Sequence, residues 1–291
     1  KTHLHCDLLV VGGGPAGLSA AIEAARAGAD VILCDDAPAL GGRLTYAPKD
    51  GVNLPDLVAE AQGLPSLRIM TWTACNGWFE DNWLPLIRGK TLYRCRAQQL
   101  IIATGGIEQP AVFRGNDLPG IMTAGAVSRL IRHYGVRPGT RAVILAGTPD
   151  AVVAAETLIE AGCAIAAMVL PRPLPRQEAR IAKLQAAGCA IINGHVEEAR
   201  GKMHVSEVRA GDQWIRCDLL VTSVGHMPAW QLPCQTGARL QCDDATGRIS
   251  LERTREDIHF AGSVAGHAGL ATVKADGRRA AAAALNGIWY Q

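Results

Sequence analysis

The sequence predicts an α/β protein built from two parallel-sheet units, the second inserted in the first, and three observations predict it. Residues Cys6 to Asp35 run as an apolar strand (Leu8 to Val11), a G-x-G-x-x-G turn (Gly12, Gly14, Gly17), an alanine-rich helix and a second strand (Val31 to Cys34) ending in an acid. The same strand–helix–strand order returns at Arg141 to Leu170. A last strand, Ile258 to Ser263, is followed by Gly269 and a helix through Asp276 to Leu285, which brings the chain back to close the first unit.

Each part of the first stretch has a physical job in a dinucleotide site. Gly12 makes the tight turn, Gly14 lets the backbone approach a pyrophosphate, and Gly17 lets helix and strand pack closely. The helix beginning near Pro15 points unpaired N–H groups and a positive dipole end at that phosphate. Asp35 follows Gly17 by eighteen residues (35 − 17), where a carboxylate can accept hydrogen bonds from an adenosine ribose. A glycine-rich turn alone also serves tight packing. With strand, helix, second strand and terminal acid in register, the stretch points to a ligand carrying an adenosine diphosphate moiety.

Beyond Asp35, the loop Ala39 to Leu44 leads to an acidic helix around Asp56 to Gln62. Segments Leu67 to Thr73, Trp78 to Arg88 and Thr91 to Cys95 alternate in a way that predicts antiparallel strands, and Gln99 to Ala103 predict a buried strand closing on Thr104-Gly105-Gly106. Gly115 to Gly120 is turn chemistry and marks a crossing between domains. The second unit enters a helix at Asp150 to Ala161, a strand at Ala164 to Leu170 and a helix over Gln177 to Ala187. Its fingerprint is eroded: Ala146, Thr148 and Ala151 stand at the glycine positions, and Val169 and Leu170 end the strand where an acid is wanted. A retained fold without a working cofactor site is the expectation, although Arg172 could favour a 2′-phosphate. Strands are expected again at Met203 to Arg209, Trp214 to Cys217 and Leu219 to Ser223.

Composition narrows the function classes. At 291 residues and 48% hydrophobic, the chain has apolar material for two cores, and a net charge of +2 without a basic tract argues against nucleic acid as a partner. No apolar run reaches about 18 residues and no charged leader precedes one, so neither a membrane span nor a signal peptide is expected, and the expected location is cytoplasmic. The nine cysteines form no C-x-x-C or C-x-C pair, so they encode no metal knuckle, redox disulfide or iron–sulfur cluster and read as small buried hydrophobes.

The chain resembles the two-dinucleotide-domain flavoproteins of the pyridine nucleotide-disulfide oxidoreductase superfamily, by Gly12 to Gly17, Ala103-Thr104-Gly105 and Ala261-Gly262-Ser263 in order. Within it the sequence is most similar to the α/A-type subunits of heteromeric amine dehydrogenases: those of opine oxidase, the hydrogen cyanide synthase B subunit, hydroxyproline and proline dehydrogenase α, and a region of sarcosine oxidase α. The matching residues are Gly77 to Asn82 (GWFEDN), Leu100 to Pro110, and Asn116 to Met122.

The resemblance implies two Rossmann-like FAD/NAD(P)-binding domains, residues 1–115 with 224–291 and residues 116–223. It implies FAD as cofactor, with NAD or an adenine nucleotide as alternatives in the same site. On that reading Gly12, Gly14, Pro15 and Ala16 meet the pyrophosphate, Asp35 the ribose, and Asp36, Thr73 and Ala74 the adenine side. Gly42, Arg43 and Leu44, with Ala103, Thr104 and Gly105, flank the cofactor. Ser263 takes the ribityl position, where related flavoproteins carry an aspartate, and holds without charge assistance.

The implied partners are a catalytic flavoprotein β-type subunit, where the amine is expected to bind, and a small iron–sulfur subunit; the cluster is expected outside these 291 residues. The loop after Gly42 has no paired cysteines, which excludes reduction of a thiol substrate through an internal disulfide. His226 and His267 lie in loops expected near the cofactor, and His3, His5, His133, His195, His204 and His259 show no constellation. No catalytic residue and no metal ligand are assigned. Two function classes compete: a flavin-linked redox subunit of an enzyme acting on the C–N bond of a secondary amine, opine or amino acid, and a nucleotide-binding scaffold subunit. A free-standing NAD(P)H-dependent reductase ranks below both.

Overall fold

A computed structural model describes residues 2–47, 53–244 and 248–289 of the chain. It divides into two compact units, 1–107 with 227–291 and 108–226.

The first unit opens with β1 (Thr2–Val11), α1 (Pro15–Arg26) and β2 (Val31–Cys34), then a 3₁₀ turn (Gly42–Thr45) and α2 (Leu54–Gln62). β3 (Leu67–Met70), β4 (Ala74–Cys75), β5 (Trp83–Arg88), β6 (Thr91–Ile102) and the exit segment β7 (Gly106–Glu108) follow. The sheet order is β3-β2-β1-β6-β5-β4. Alternation along β1 sets its two faces: Leu8 and Val10 pack toward the cluster that includes residues of α1, while Leu9 and Val11 pack with Ile32, Leu84, Leu86 and Leu100. Both sets are at most 5% exposed, as a parallel sheet covered on both faces requires.

Three expectations for this unit are corrected. Residues Leu67 to Thr73 were expected antiparallel, but β3 runs parallel to β2, Val31 opposite Leu67, because α2 supplies the crossover. The strands expected at Thr91 to Cys95 and Gln99 to Ala103 are one strand, β6, whose first half pairs antiparallel with β5 and which pairs parallel with β1 from Tyr93 to Ile102. The expected strand at Trp78 to Arg88 starts at Trp83, since Asp81 and Asn82 adopt φ of 58° and 44° and break the extended run. Asn82 is 2% exposed; its Nδ2 donates to Asp257 Oδ2 at 2.9 Å, and its Oδ1 accepts from Trp78 Nε1 at 2.8 Å. The Gly77 to Asn82 motif is therefore a structural corner.

The second unit comprises β8 (Ile121–Thr123), α3 (Ala124–Tyr134), β9 (Arg141–Ala146), α4 (Asp150–Glu160), β10 (Ala164–Leu170), α5 (Glu178–Ala186) and β11 (Ala190–Asn193). After these come β12 (Val196–Arg200), β13 (Glu207–Ala210), β14 (Gln213–Arg216), β15 (Leu219–Ser223) and the return segment β16 (His226–Pro228), which ends inside the first unit. Its parallel sheet has the order β11-β10-β9-β15-β8, and β12, β13 and β14 form a separate antiparallel sheet. The expected strand at Met203 to Arg209 begins only at Glu207: Met203 is 83% exposed in the turn after β12.

The two compact units divide at 107/108 and 226/227. The reason is visible in bonds inside the second unit. Glu108 accepts from the Gly125 N–H through both carboxylate oxygens at 2.9 and 3.0 Å, capping α3 in place of Thr123, which makes no side-chain cap. Gln109 N donates to Gly225 O at 3.0 Å, and Arg114 N to Glu197 O at 3.2 Å. The residues from Glu108 to Thr123 thus lead into α3.

The chain re-enters the first unit through α6 (Gln231–Gln235), the hairpin β17 (Arg239–Asp243) and β18 (Arg248–Glu252), then β19 (Ile258–Phe260), a 3₁₀ turn (Gly262–Ala265) and α7 (Leu270–Trp289). β19 pairs parallel with the second half of β6, Ile258 opposite Leu100, completing the seven strands of the first sheet.

Candidate functional site

The carboxyl ends of β1, β2, β6 and β19 converge, and their bonds stitch the three motifs together. Gly12 N donates to Cys34 O at 2.8 Å, Ala103 N to Val11 O at 2.8 Å, and Ala261 N to Ile102 O at 3.0 Å. In open α/β sheets ligands bind outside such strand ends. Gly17 is forced by contact, for a Cβ there would stand 1.8 Å from Gly12 O, and one on Gly12, at φ +106°, would stand 2.4 Å from Ala103 O. Gly14 differs: its φ of −72° is ordinary, and a Cβ would meet nothing within 4 Å. The same open space surrounds Gly105. Packing of the protein explains Gly12 and Gly17, whereas Gly14 borders a cradle that a side chain would fill.

Around that cradle the structure brings together most of the expected residues. α1 starts at Pro15, whose missing N–H costs nothing at a helix start, and Leu18 N makes an early helical bond to Gly14 O at 2.9 Å. The loop after β2 folds back: Gly41 N donates to Gly13 O at 2.8 Å, and a Cβ on Gly42 would lie 3.1 Å from Gly14 Cα. Arg43 and Leu44 follow in the 3₁₀ turn, Arg43 half-buried and Leu44 buried.

Asp35, half-buried, accepts from Gly13 N at 2.5 Å and from Ala37 N at 2.8 Å. Burial raises its carboxyl above the ordinary value, and the bonds from Ala37 and Gly13 pull it back down. Asp36 is exposed. Thr73 is fully buried; its N–H donates to Asp35 O at 2.8 Å and its hydroxyl to Thr71 O at 2.9 Å, while Ala74 opens β4 beside it. Ala103 is buried, and Thr104 Oγ1 donates to Ala229 O at 3.3 Å.

Ser263 lies in the Gly262–Ala265 turn. Gly262 packs on α1, where a Cβ would stand 2.6 Å from that of Ala16, and its N–H donates to Asp276 Oδ2 at 2.7 Å. Asp276 is a residue that sequence reading passed over, because one acid in a helix carries no signal until folding brings it to the turn.

The histidines resolve differently from expectation. His259, expected to have no constellation, is 6% exposed between Gln99 Oε1 at 3.1 Å from Nε2 and Arg253 Nη1 at 3.0 Å from Nδ1. That geometry assigns a neutral ring donating from Nε2 and accepting at Nδ1. Burial, aided by the Arg253 and Arg279 charges, pushes it down to about 4. His226 lies 3.7 Å from Asp150 Oδ2 in the second unit, and His267 Nε2 lies 3.4 Å from Asp276 Oδ1 in the first. Cys6, Cys34, Cys95, Cys163, Cys189 and Cys217 are buried as expected, Cys75 is half-buried, and Cys234 and Cys242 are exposed. Among the described residues no group of three or more His, Cys, Asp or Glu could hold a metal ion, and no helix is long and apolar enough to cross a membrane.

The corresponding turn of the second unit is filled by its own side chains. Thr148 and Ser223 hydroxyls lie 2.6 Å apart, Arg172 Nη2 donates to Gly147 O at 3.2 Å, and Asp150 occupies the first turn of α4. A carboxylate there takes the helix's positive end for itself.

Residues 7–58 match the family model for FAD dependent oxidoreductases. The alpha subunit of sarcosine oxidase from Rhizobium meliloti is 31% identical over 95% of this chain and 30% of its own length. The A-type subunit of opine oxidase from Agrobacterium tumefaciens is 26% identical over 96% of this chain and 65% of its own, and the HcnB subunit of hydrogen cyanide synthase from Pseudomonas aeruginosa is 26% identical over 95% and 70%. The chain thus spans about a third of the sarcosine oxidase relatives and about two thirds of the opine oxidase relatives. Among solved structures, L-proline dehydrogenase from P. horikoshii superposes with a TM-score of 0.77 at 20% identity, over 100% of this chain and 57% of that one. Thioredoxin reductase of T. acidophilum gives 0.73 at 21%, over 97% and 98%. The chain is accordingly similar in sequence to the α- and A-type subunits of sarcosine and opine oxidases and to HcnB, its residues 7–58 match the FAD dependent oxidoreductase model, and its fold is a Rossmann-type α/β fold.

Proposed function

We propose that the first unit binds FAD and that the chain is a flavin-linked subunit of a heteromeric dehydrogenase or oxidase acting on the C–N bond of a secondary amine, opine or amino acid. The cradle at Gly14, open on the protein side and closed by Asp35 and the Gly41–Gly42 loop, carries this reading. Its donors suit a pyrophosphate: backbone N–H groups at the start of α1, a helix dipole, and no acid in that helix's first turn. Asp35, already fixed by two N–H donors, is held to accept from ribose hydroxyls, with Asp36, Thr73 and Ala74 toward the adenine. A carboxylate there disfavours a 2′-phosphate through charge repulsion.

Pro15 and Ala16 face the pyrophosphate; Gly42, Arg43 and Leu44 on one side and Ala103, Thr104 and Gly105 on the other enclose the remainder, with Ser263 toward the ribityl chain. Bound flavin supplies reversible acceptance of electrons, and the protein's part is to bind, orient and insulate it. The names of the relatives, all subunits, support partner subunits; on this reading the amine site lies on a β-type flavoprotein partner, accompanied by a small iron–sulfur subunit. A nucleotide-binding scaffold is the second reading, favoured by Ser263 in place of an acid and by the self-filled turn of the second unit.

One experiment separates them: denature the purified chain and identify the released nucleotide by visible absorbance and mass spectrometry. Stoichiometric FAD is the expected result. NAD, an adenine nucleotide or none moves the redox chemistry to the partner and leaves this chain as scaffold.

A further inference from the structure

Asp276 is 6% exposed, in the second turn of α7, and both its oxygens are engaged. Oδ2 accepts from the Gly262 N–H at 2.7 Å, while Oδ1 accepts from Arg279 Nε and Nη2 at 2.9 and 2.7 Å and lies 3.4 Å from His267 Nε2. The next residue, Gly277, packs on the start of α1: a Cβ there would be 2.2 Å from Ala16 O. A buried carboxylate is expensive to desolvate, and an apolar residue would fill this helix position without that cost. What the carboxylate provides is a charge-assisted bond to one backbone N–H, that of Gly262, which leads the turn bearing Ser263 and holds φ at +79°.

We propose that Asp276 is a positioning residue of the cofactor site, clamping the Gly262–Ala265 turn so that Ser263 meets the flavin half of the dinucleotide in a fixed orientation. This rests on the FAD reading above. The clamp acts on one half of the ligand, because the ADP half is assigned to Gly14, Asp35 and the start of α1, which Asp276 does not bond. Arg279, 66% exposed in its side chain, neutralises the carboxylate from the solvent side and leaves Oδ2 to the turn.

The test is calorimetric titration of the full chain, stripped of nucleotide, with FAD and separately with ADP. Asp276→Ala is expected to weaken FAD about tenfold, the worth of a charge-assisted hydrogen bond, and to leave ADP within about threefold. Asp276→Asn keeps an oxygen for Gly262 without the charge and is expected to weaken FAD less, again sparing ADP; it decides the matter if the alanine variant does not fold. An unchanged ratio of FAD to ADP affinity in whichever variant folds overturns the proposal, since a purely structural acid weakens both ligands alike. Wild-type chain that binds FAD no better than ADP overturns the FAD reading itself, a different outcome from wild-type preference retained in the variants.

Discussion

The chain builds the same strand–turn–helix twice, and the two turns have opposite contents. After β1, Gly14 faces space that nothing in the protein occupies, and the acid at the end of β2 turns inward to hold Gly13. After β9, Thr148 and Ser223 bond each other across the turn, Arg172 caps Gly147 and Asp150 occupies the helix start. Sheet and helix cores are equally well formed in both, with Leu8, Val10 and Leu33 fully buried in one and Ala142, Ile144 and Val221 in the other. A scaffold can therefore be kept at full packing while its ligand cradle is kept open or filled, which is why function must be argued from the site.

The largest expected effect separates packing glycines from ligand glycines. Gly17→Ala drives a methyl into Gly12 O, and thermal unfolding should show a loss on the order of 3 kcal/mol. Gly14→Ala should unfold within about 0.5 kcal/mol of wild type yet lose most nucleotide binding by calorimetry, since its methyl enters only the cradle. Equal destabilisation by the two would break the contrast.

Next comes Asp35→Ala, which removes the acceptor of Gly13 and Ala37. Nucleotide affinity should fall by about 1–3 kcal/mol, and an unaltered dissociation constant would show that the carboxylate serves the turn alone.

A third test uses pH. His259 is held neutral in the first unit with its folded value down to about 4, against about 6.5 when unfolded, so the unfolded chain binds the extra proton. The resulting stability is fully present above about pH 6.5 and is lost as pH falls toward 4, on the order of 3 kcal/mol. Urea midpoints in that window should fall less steeply for His259→Gln than for wild type.

The smallest effect belongs to the second turn. Thr148→Ala removes the bond to Ser223, costs about 1 kcal/mol of stability, and should leave the number of nucleotides bound per chain unchanged in equilibrium dialysis. A second equivalent bound by that variant would mean that the side chains alone had closed a working site.

Legibility in the sequence followed the range of the interactions. The β1–α1–β2 stretch was readable because its signals are local: apolar runs, glycine spacing and a terminal acid within thirty residues. Residues 67–70 were misread because alternation specifies a strand and says nothing of its direction, which α2 as crossover determined. β6 was divided in two because its half-buried first half, which carries Arg94 and Arg96, and its apolar second half serve different neighbours, β5 and β19, along one continuous strand. α3 was missed because the cap that starts it, Glu108, lies 17 residues before Gly125.

By itself the sequence determined the two α/β units, the insertion of one in the other, the G-x-G-x-x-G turn with its acid, and the erosion of the second fingerprint; each is written in residue type and spacing over short range. Tertiary structure alone decided where the units divide, which glycine is left open rather than packed, the neutral His259 between Gln99 and Arg253, and the bond from Gly262 to Asp276. These depend on groups from 6 to 160 residues apart meeting at about 3 Å, and distance in space, unlike periodicity, leaves no mark on a single sequence.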